Sequence, residues 1–263
     1  MRLLLVLLLI PPAPSAAERP GLLAPDTLRV EVGSPAVSGR TFIPHAARVR
    51  VRIGDGEGDG RLTAEWTKEL ILGDSAGRPV MRWVTRGTQF APGTPPVTWE
   101  LSQTSDAETL APRAISSHSS TGAAMRLTIE GRRVRGTRQA AGRAPVQRVD
   151  LTLTQAGFIA TASDLVPLAA GLREGVVMIA PRWGPSLPDS ELRIFSVLGR
   201  ATIAVEGAPI EAWKVEERRH RDRALLATWY LITESPYMVY GEILLPDGRI
   251  QRMTAVAIPP GGR

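Results

Sequence analysis

Few residues in this chain are of types that do chemistry. Of 263 residues three are histidines, His45, His118 and His220, and none is cysteine. A zinc site draws three or four ligands from His, Cys and carboxylates at short spacings, and each of these histidines stands alone in sequence. The stretch Gly54-Asp55-Gly56-Glu57-Gly58-Asp59-Gly60 lacks the Asp-x-Asp-x-Asp-Gly core and closing bidentate Glu of a calcium loop, so it reads as a flexible connector. Ser116-Ser117-His118-Ser119-Ser120 sets a base beside hydroxyls. Successive side chains in a strand point to opposite faces, however, so His118 faces away from Ser117 and Ser119. No Gly-x-Ser-x-Gly elbow is present either. Asp164, Glu211, Glu216 and Glu242 cannot be paired into a glycosidase couple from sequence. Asp74-Ser75-Ala76-Gly77 only faintly resembles an aspartic-protease triplet and reads as a turn. No catalytic residue, metal or cofactor is assigned, and the protein is expected not to be an enzyme.

Two other residue classes stand out. Six tryptophans outnumber four phenylalanines, and tryptophan, large and carrying an N–H that wants a partner, often stands at the rim of a core or in a ligand groove. Trp66, Trp83, Trp99, Trp213 and Trp229 all fall in alternating segments, so each must point into a core or towards solvent. Together they are the candidate lining of an apolar groove; Trp183 falls in an expected loop. The net charge is +6, with 32 basic against 26 acidic residues, and Lys68 and Lys214 are the only lysines. Arg218, Arg219, Arg221 and Arg223 cluster between two expected strands as a basic hairpin tip. Such a tip could meet an anionic surface, and as an ordinary solvated loop it would discourage edge-to-edge pairing.

The elements that must position these residues follow an N-terminal segment with the anatomy of a secretory signal. Met1 to Ala17 runs from Arg2 through apolar Leu3 to Ile10 into small residues, predicting cleavage after Ala17. The apolar run would span roughly 12 Å as a helix, far short of a ~30 Å hydrocarbon core. No transmembrane segment is expected, and no cysteine is available for lipid attachment. A soluble periplasmic or secreted protein follows. Export removes nucleic acid as a partner and leaves lipid, another apolar ligand or an anionic envelope surface.

Beyond the signal, residues 18 to 60 read as a leader and extension strands, with alternation at Leu28, Val30, Val32 and again at Val49, Val51, Ile53. Residues 61 to 263 read as an antiparallel β domain. Leu62, Ala64, Trp66, Lys68, Leu70 and Leu72 share one face of a strand, opposite Thr63, Glu65, Thr67 and Glu69, the pattern of a sheet buried on one side. Short extended segments follow, separated by Gly, Pro and Ser. Ser163 to Leu172 is the single short helix expected, capped by Ser163, and Pro181 to Pro188 reads as a loop. From Ile210 to Ile258 the chain is a meander with corners at Ser235-Pro236 and Pro246-Asp247-Gly248. Proline suits the first central position of a type I turn and glycine the left-handed position after it. The predicted pairs are therefore Leu244 with Ile250, Glu242 with Arg252 and Tyr240 with Thr254.

From about Trp99 to Ile258 the order of short motifs resembles the exported bacterial proteins grouped as domain of unknown function 3108. The matching pieces are Thr109-Leu110-Ala111-Pro112, Glu130-Gly131 with Val134 and Gly136, Leu165 with Pro167, Leu168 and Gly171, Ala212-Trp213-Lys214-Val215, Trp229, and Leu245-Pro246-Asp247-Gly248. The resemblance implies a curved sheet similar to periplasmic lipoprotein carriers, with an apolar concave face. It carries over no catalytic residue.

The sequence thus predicts an all-β protein: one large curved antiparallel sheet, open or half barrel, of meander topology with at most one short helix. Its expected role is to bind an apolar ligand or envelope partner on that sheet. An envelope hydrolase and a purely structural interaction module are the alternatives.

Overall fold

The computed structural model describes residues 27–56, 60–159 and 165–259. The signal segment, its cleavage point, Ser163, Asp164 and part of the Gly54 to Gly60 connector lie outside the described residues. After a short lead strand β1 (Thr27–Arg29), one long antiparallel meander comprises β2 (His45–Gly54), β3 (Arg61–Ser75), β4 (Arg78–Gln89), β5 (Val97–Asp106), β6 (Pro112–Ser119), β7 (Ala124–Glu130), β8 (Arg133–Gln139) and β9 (Gln147–Thr152). A short β10 (Phe158–Ile159) and the helix α1 (Leu165–Ala169) lead to the second meander. This runs through β11 (Val177–Trp183), β12 (Glu191–Val205), β13 (Ala208–Arg219), β14 (Leu225–Leu231), β15 (Met238–Leu244) and β16 (Ile250–Ile258).

The two meanders join edge to edge where β16 pairs antiparallel with β2, from Ile250 opposite Gly54 to Ile258 opposite Ala46. The result is one unclosed sheet running from β1 and β11 at one end to β9 at the other. It is antiparallel except at the β11 edge, where β1 and β10 both pair parallel to β11. Register shifts at Val51/Arg52, Thr104/Ser105, Val197/Gly199, Glu217/Arg218 and Tyr230/Leu231 insert local bends. Bulges of this kind increase twist and curl a sheet.

Curling creates an inside. The main core gathers inward side chains of both meanders, including Val49, Leu70, Met81, Phe195, Val215 and Leu231, with α1 and the loop after β1. That loop and α1 plug one end. A 3-10 turn, Gly39–Thr41, follows Val37, and Ser38 N–H donates to the Ala169 carbonyl at 3.0 Å while Gly39 N–H donates to Glu108 O at 2.7 Å. Phe42 meets Tyr237 edge-on at 5.0 Å, and the Tyr237 hydroxyl accepts the Ile43 N–H at 2.7 Å. A second core lies under the far wing, where Ile115, Leu127, Ile129 and Val134 pack with Ile159 and Trp183.

The outer face also carries a cover. At Gly199, with φ at +116°, the β12–β13 hairpin changes register. Its tip residue Glu206 reaches β2, pairing with Arg50 at 3.0 Å and Arg48 at 3.6 Å. Beneath this arm Val205, Ala212 and Val239 cluster with Tyr230 and Tyr240.

The C-terminal turn has the predicted register: Leu244 faces Ile250, Glu242 faces Arg252 and Tyr240 faces Thr254. Gly248 N–H donates to Leu245 O at 3.0 Å, and Gly248 sits at φ +84°. Within Asp74 to Gly77 the chain turns as expected, at Ala76 and Gly77, with Gly77 N–H donating to the Asp74 carboxylate at 2.8 Å. One expectation fails. Pro181 to Trp183 belong to β11 rather than to a loop, because Pro181 pairs with Leu192 and Trp183 with Ile159 across the two edges of that strand.

Candidate ligand-binding cavity

The plug fills only one end of the curl. Beyond it lies a cavity of about 280 Å³ whose walls include Trp66, Trp99, Trp229, Met238, Met253 and Ile243. Lys68 and Arg182 also reach this wall, and among the described residues no carboxylate does. The elements explain the convergence. Trp66 and Lys68 lie two residues apart on β3 and so share its inner face, Trp99 comes from β5, Trp229 from β14, and Arg182 from β11.

Two glycines make room for the rings. Gly87 lies between Trp66 and Trp99 in the sheet, and a Cβ there would come within 2.5 Å of Trp66 Cβ. The two indoles meet edge-on with centroids 5.7 Å apart. Gly241 pairs with Trp229, and a Cβ there would lie 2.7 Å from the Trp229 ring. In each case an indole lies over a position that a larger side chain would block.

Trp229 is further fixed by its N–H, which donates to Glu217 at 3.0 Å. Glu217 is 1% exposed, and a buried carboxylate is tolerated only when paired and hydrogen-bonded. Arg182 supplies a 3.0 Å hydrogen bond and Arg193 lies 3.9 Å away. Arg193 in turn binds Glu191 at 2.7 Å, and burial lowers the Arg193 pKa against the opposing pull of Glu217. This network ties β11, β12, β13 and β14 together beside the cavity.

Lys68 is differently placed. Its ammonium lies 4.5 Å from the centroid of the Trp83 ring, and among the described residues no carboxylate lies within 4.0 Å of it. Nearby, His45 meets Trp83 and Tyr237 edge-on at 5.4 and 4.9 Å. Burial pushes the His45 pKa down, its bond to the Ile43 carbonyl opposes this, and the charge of Lys68 adds to the lowering.

The five tryptophans proposed from sequence thus separate. Trp66, Trp99 and Trp229 line the cavity. Trp83 is packed in the core at 3% exposure, beneath Lys68. Trp213 packs at the edge of the same core, with the Arg200 guanidinium 4.1 Å from its centroid. Lys68, Arg182, Glu217, Met238 and Met253 were not singled out by sequence reasoning. Lys68 had a signal, a charge on the otherwise apolar face of the Leu62 to Leu72 alternation.

A broader depression of about 730 Å³ adjoins the mouth and shares Trp66 and Trp99, with Phe90, Arg86, Glu100 and His118 at its border. Two serines of this cluster have other partners: Ser119 Oγ bonds Thr121 at 2.7 Å, and Ser120 Oγ accepts the Thr98 N–H at 3.1 Å. At the basic tip, Arg218 binds Glu216 at 2.7 Å, Arg219 binds Asp222 at 2.8 Å, and Arg221 lies 3.7 Å from Asp222. Arg223 sits in the left-handed region at φ +59°, and its carbonyl accepts from Arg218 at 3.2 Å. Among the described residues no three His, Asp or Glu are grouped to hold a metal, and no helix is long and apolar enough to cross a membrane.

Fold and cavity together define a curled, unclosed β-sheet protein with an apolar interior space. No family model matches the chain, that of domain of unknown function 3108 included, and no curated protein matches it. Two solved structures are similar. One, a beta-barrel-like protein of domain of unknown function DUF1849 from Brucella abortus, has a TM-score of 0.48 at 11% identity, covering 82% of this chain and 96% of that one. The other, a DUF1089 family protein from Pseudomonas aeruginosa, has a TM-score of 0.32 at 13% identity, covering 75% and 89%.

Proposed function

We propose that this is an exported, non-enzymatic binding protein of the bacterial envelope that takes an apolar ligand into the open end of its curled sheet. The observation that carries the reading is the cavity of about 280 Å³ walled by Trp66, Trp99, Trp229, Met238 and Met253. Ligand pockets are concave, mostly apolar and furnished with a few fixed polar groups. Tryptophan supplies wide rigid contact, and methionine adapts to irregular shapes. Export is supported by the charged, apolar and small-residue succession of Met1 to Ala17. The motif order shared with domain of unknown function 3108 supports the same reading, a curved sheet with an apolar concave face.

Native mass spectrometry of protein purified from its own envelope tests this. The expected result is a bound apolar molecule of defined mass that is lost in Trp66→Ala. Protein that arrives empty and takes up no added amphiphile would reject the binding role and leave the structural interaction module as the reading.

A further inference from the structure

The cavity wall is apolar apart from a small polar set, and its charge is one-sided. Lys68 and Arg182 reach the space while no carboxylate among the described residues lines it. The two cations are not equivalent. Arg182 is held by Glu217 at 3.0 Å, within a network whose carboxylate is 1% exposed. Lys68 has an aromatic face beneath it at 4.5 Å and, among the described residues, no carboxylate within 4.0 Å. A lysine ammonium is a compact charge with three donors on a flexible stem. An indole face stabilises the cation without using up those donors. Lys68 is therefore a charge set at the wall of an apolar space, with hydrogen-bonding capacity in hand.

We infer that the cavity takes a single-chain amphiphile with an anionic head, the chain lying among Trp66, Trp99, Trp229 and Met253 and the head meeting Lys68. This inference rests on the binding role proposed above and adds the class of ligand. Size agrees with one chain. A space of about 280 Å³ equals roughly nine water-sized groups at ~30 Å³ each, room for a medium-length acyl chain and too little for a two-chain lipid to enter whole. Charge agrees as well. A neutral or cationic head would leave Lys68 without a counter-charge, whereas a carboxylate or phosphate would supply one through charge-assisted hydrogen bonds.

Calorimetric titration of the full mature chain with decanoate, decyl phosphate, decanol and decyltrimethylammonium tests the assignment. At least one anion should bind ten or more times more tightly than decanol, and the tighter of the two identifies the head. Lys68→Met, which keeps an unbranched stem, should remove that advantage, so that the anions bind no more tightly than decanol does. Lys68→Arg should restore most of it. Equal affinities for decanol and both anions, or an anion preference unchanged in Lys68→Met, would overturn the head-group assignment while leaving the apolar pocket standing. Tighter binding of the cation would overturn it too. Failure of all four to bind would instead remove the binding role on which the inference depends.

Discussion

The two ends of the same curled sheet are built from similar residues and finished differently. At the plugged end, Trp83 at 3% exposure, Phe42 at 2% and Tyr237 at 2% are packed in the core that also takes in α1. At the other end Trp66 and Trp99 are only partly buried and face a space. Strand propensity does not distinguish these ends. What differs is whether the chain supplies a segment to lie across the concave face. The plug comes from residues between strands, pinned by backbone bonds such as Ser38 to Ala169. A curled sheet of this size therefore gains stability at one end and keeps capacity at the other.

Breaking the plug should have the largest effect. Phe42→Ala removes a fully covered ring and its contact with Tyr237, and should cost about 3–5 kcal/mol in urea unfolding while leaving amphiphile affinity per folded molecule nearly unchanged. Equal loss at both ends would mean that the ends are not separable. Trp229→Phe keeps an aromatic ring but deprives buried Glu217 of a donor, and about 1–3 kcal/mol should be lost. Glu217→Gln in the same background should deepen that loss, because it removes the carboxylate that pairs with Arg182 and the buried Arg193.

A smaller effect concerns His45. Its folded pKa lies below the ordinary value, chiefly through burial, so the unfolded chain binds the proton more readily. Its contribution to stability is therefore complete above the unfolded pKa near 6.5 and is lost as pH falls through the folded value. Thermal unfolding should show a downward step between neutral and mildly acidic pH that is reduced in His45→Phe. An unchanged step would assign it elsewhere. Smallest of all, Arg221→Ser at the basic tip should change stability by no more than about 0.5 kcal/mol and leave amphiphile binding unaltered.

How much of this could be read from sequence depended on the range of the interactions. The Pro246-Asp247-Gly248 register was legible because three residues dictate it locally, and the division of β3 into an apolar and a polar face was legible from alternation alone. Alternation assigns side chains to faces but does not say which face curls inward or which stretch will be covered. Trp83 and Trp66 carry the same pattern and meet different ends because of a plug more than twenty residues away in sequence. The β11 strand was missed because prolines and glycine at Pro181, Gly184 and Pro185 read as loop. Its pairing with β10 and β12 settles Pro181 to Trp183 as strand. The Arg182–Glu217–Trp229 network spans three strands and had no local signature.

The central claim is that the open end is a real ligand space rather than loose packing, and filling it is the most direct test. Thr85 on β4 lines the cavity and is partly buried, so Thr85→Phe would place a ring in the space with a residue that suits a strand. Tryptophan fluorescence should change saturably when decanol is titrated into the wild-type protein, and the change should vanish in Thr85→Phe while the variant remains folded. An unchanged response in the filled variant, or no saturable response in the wild type, would contradict the account.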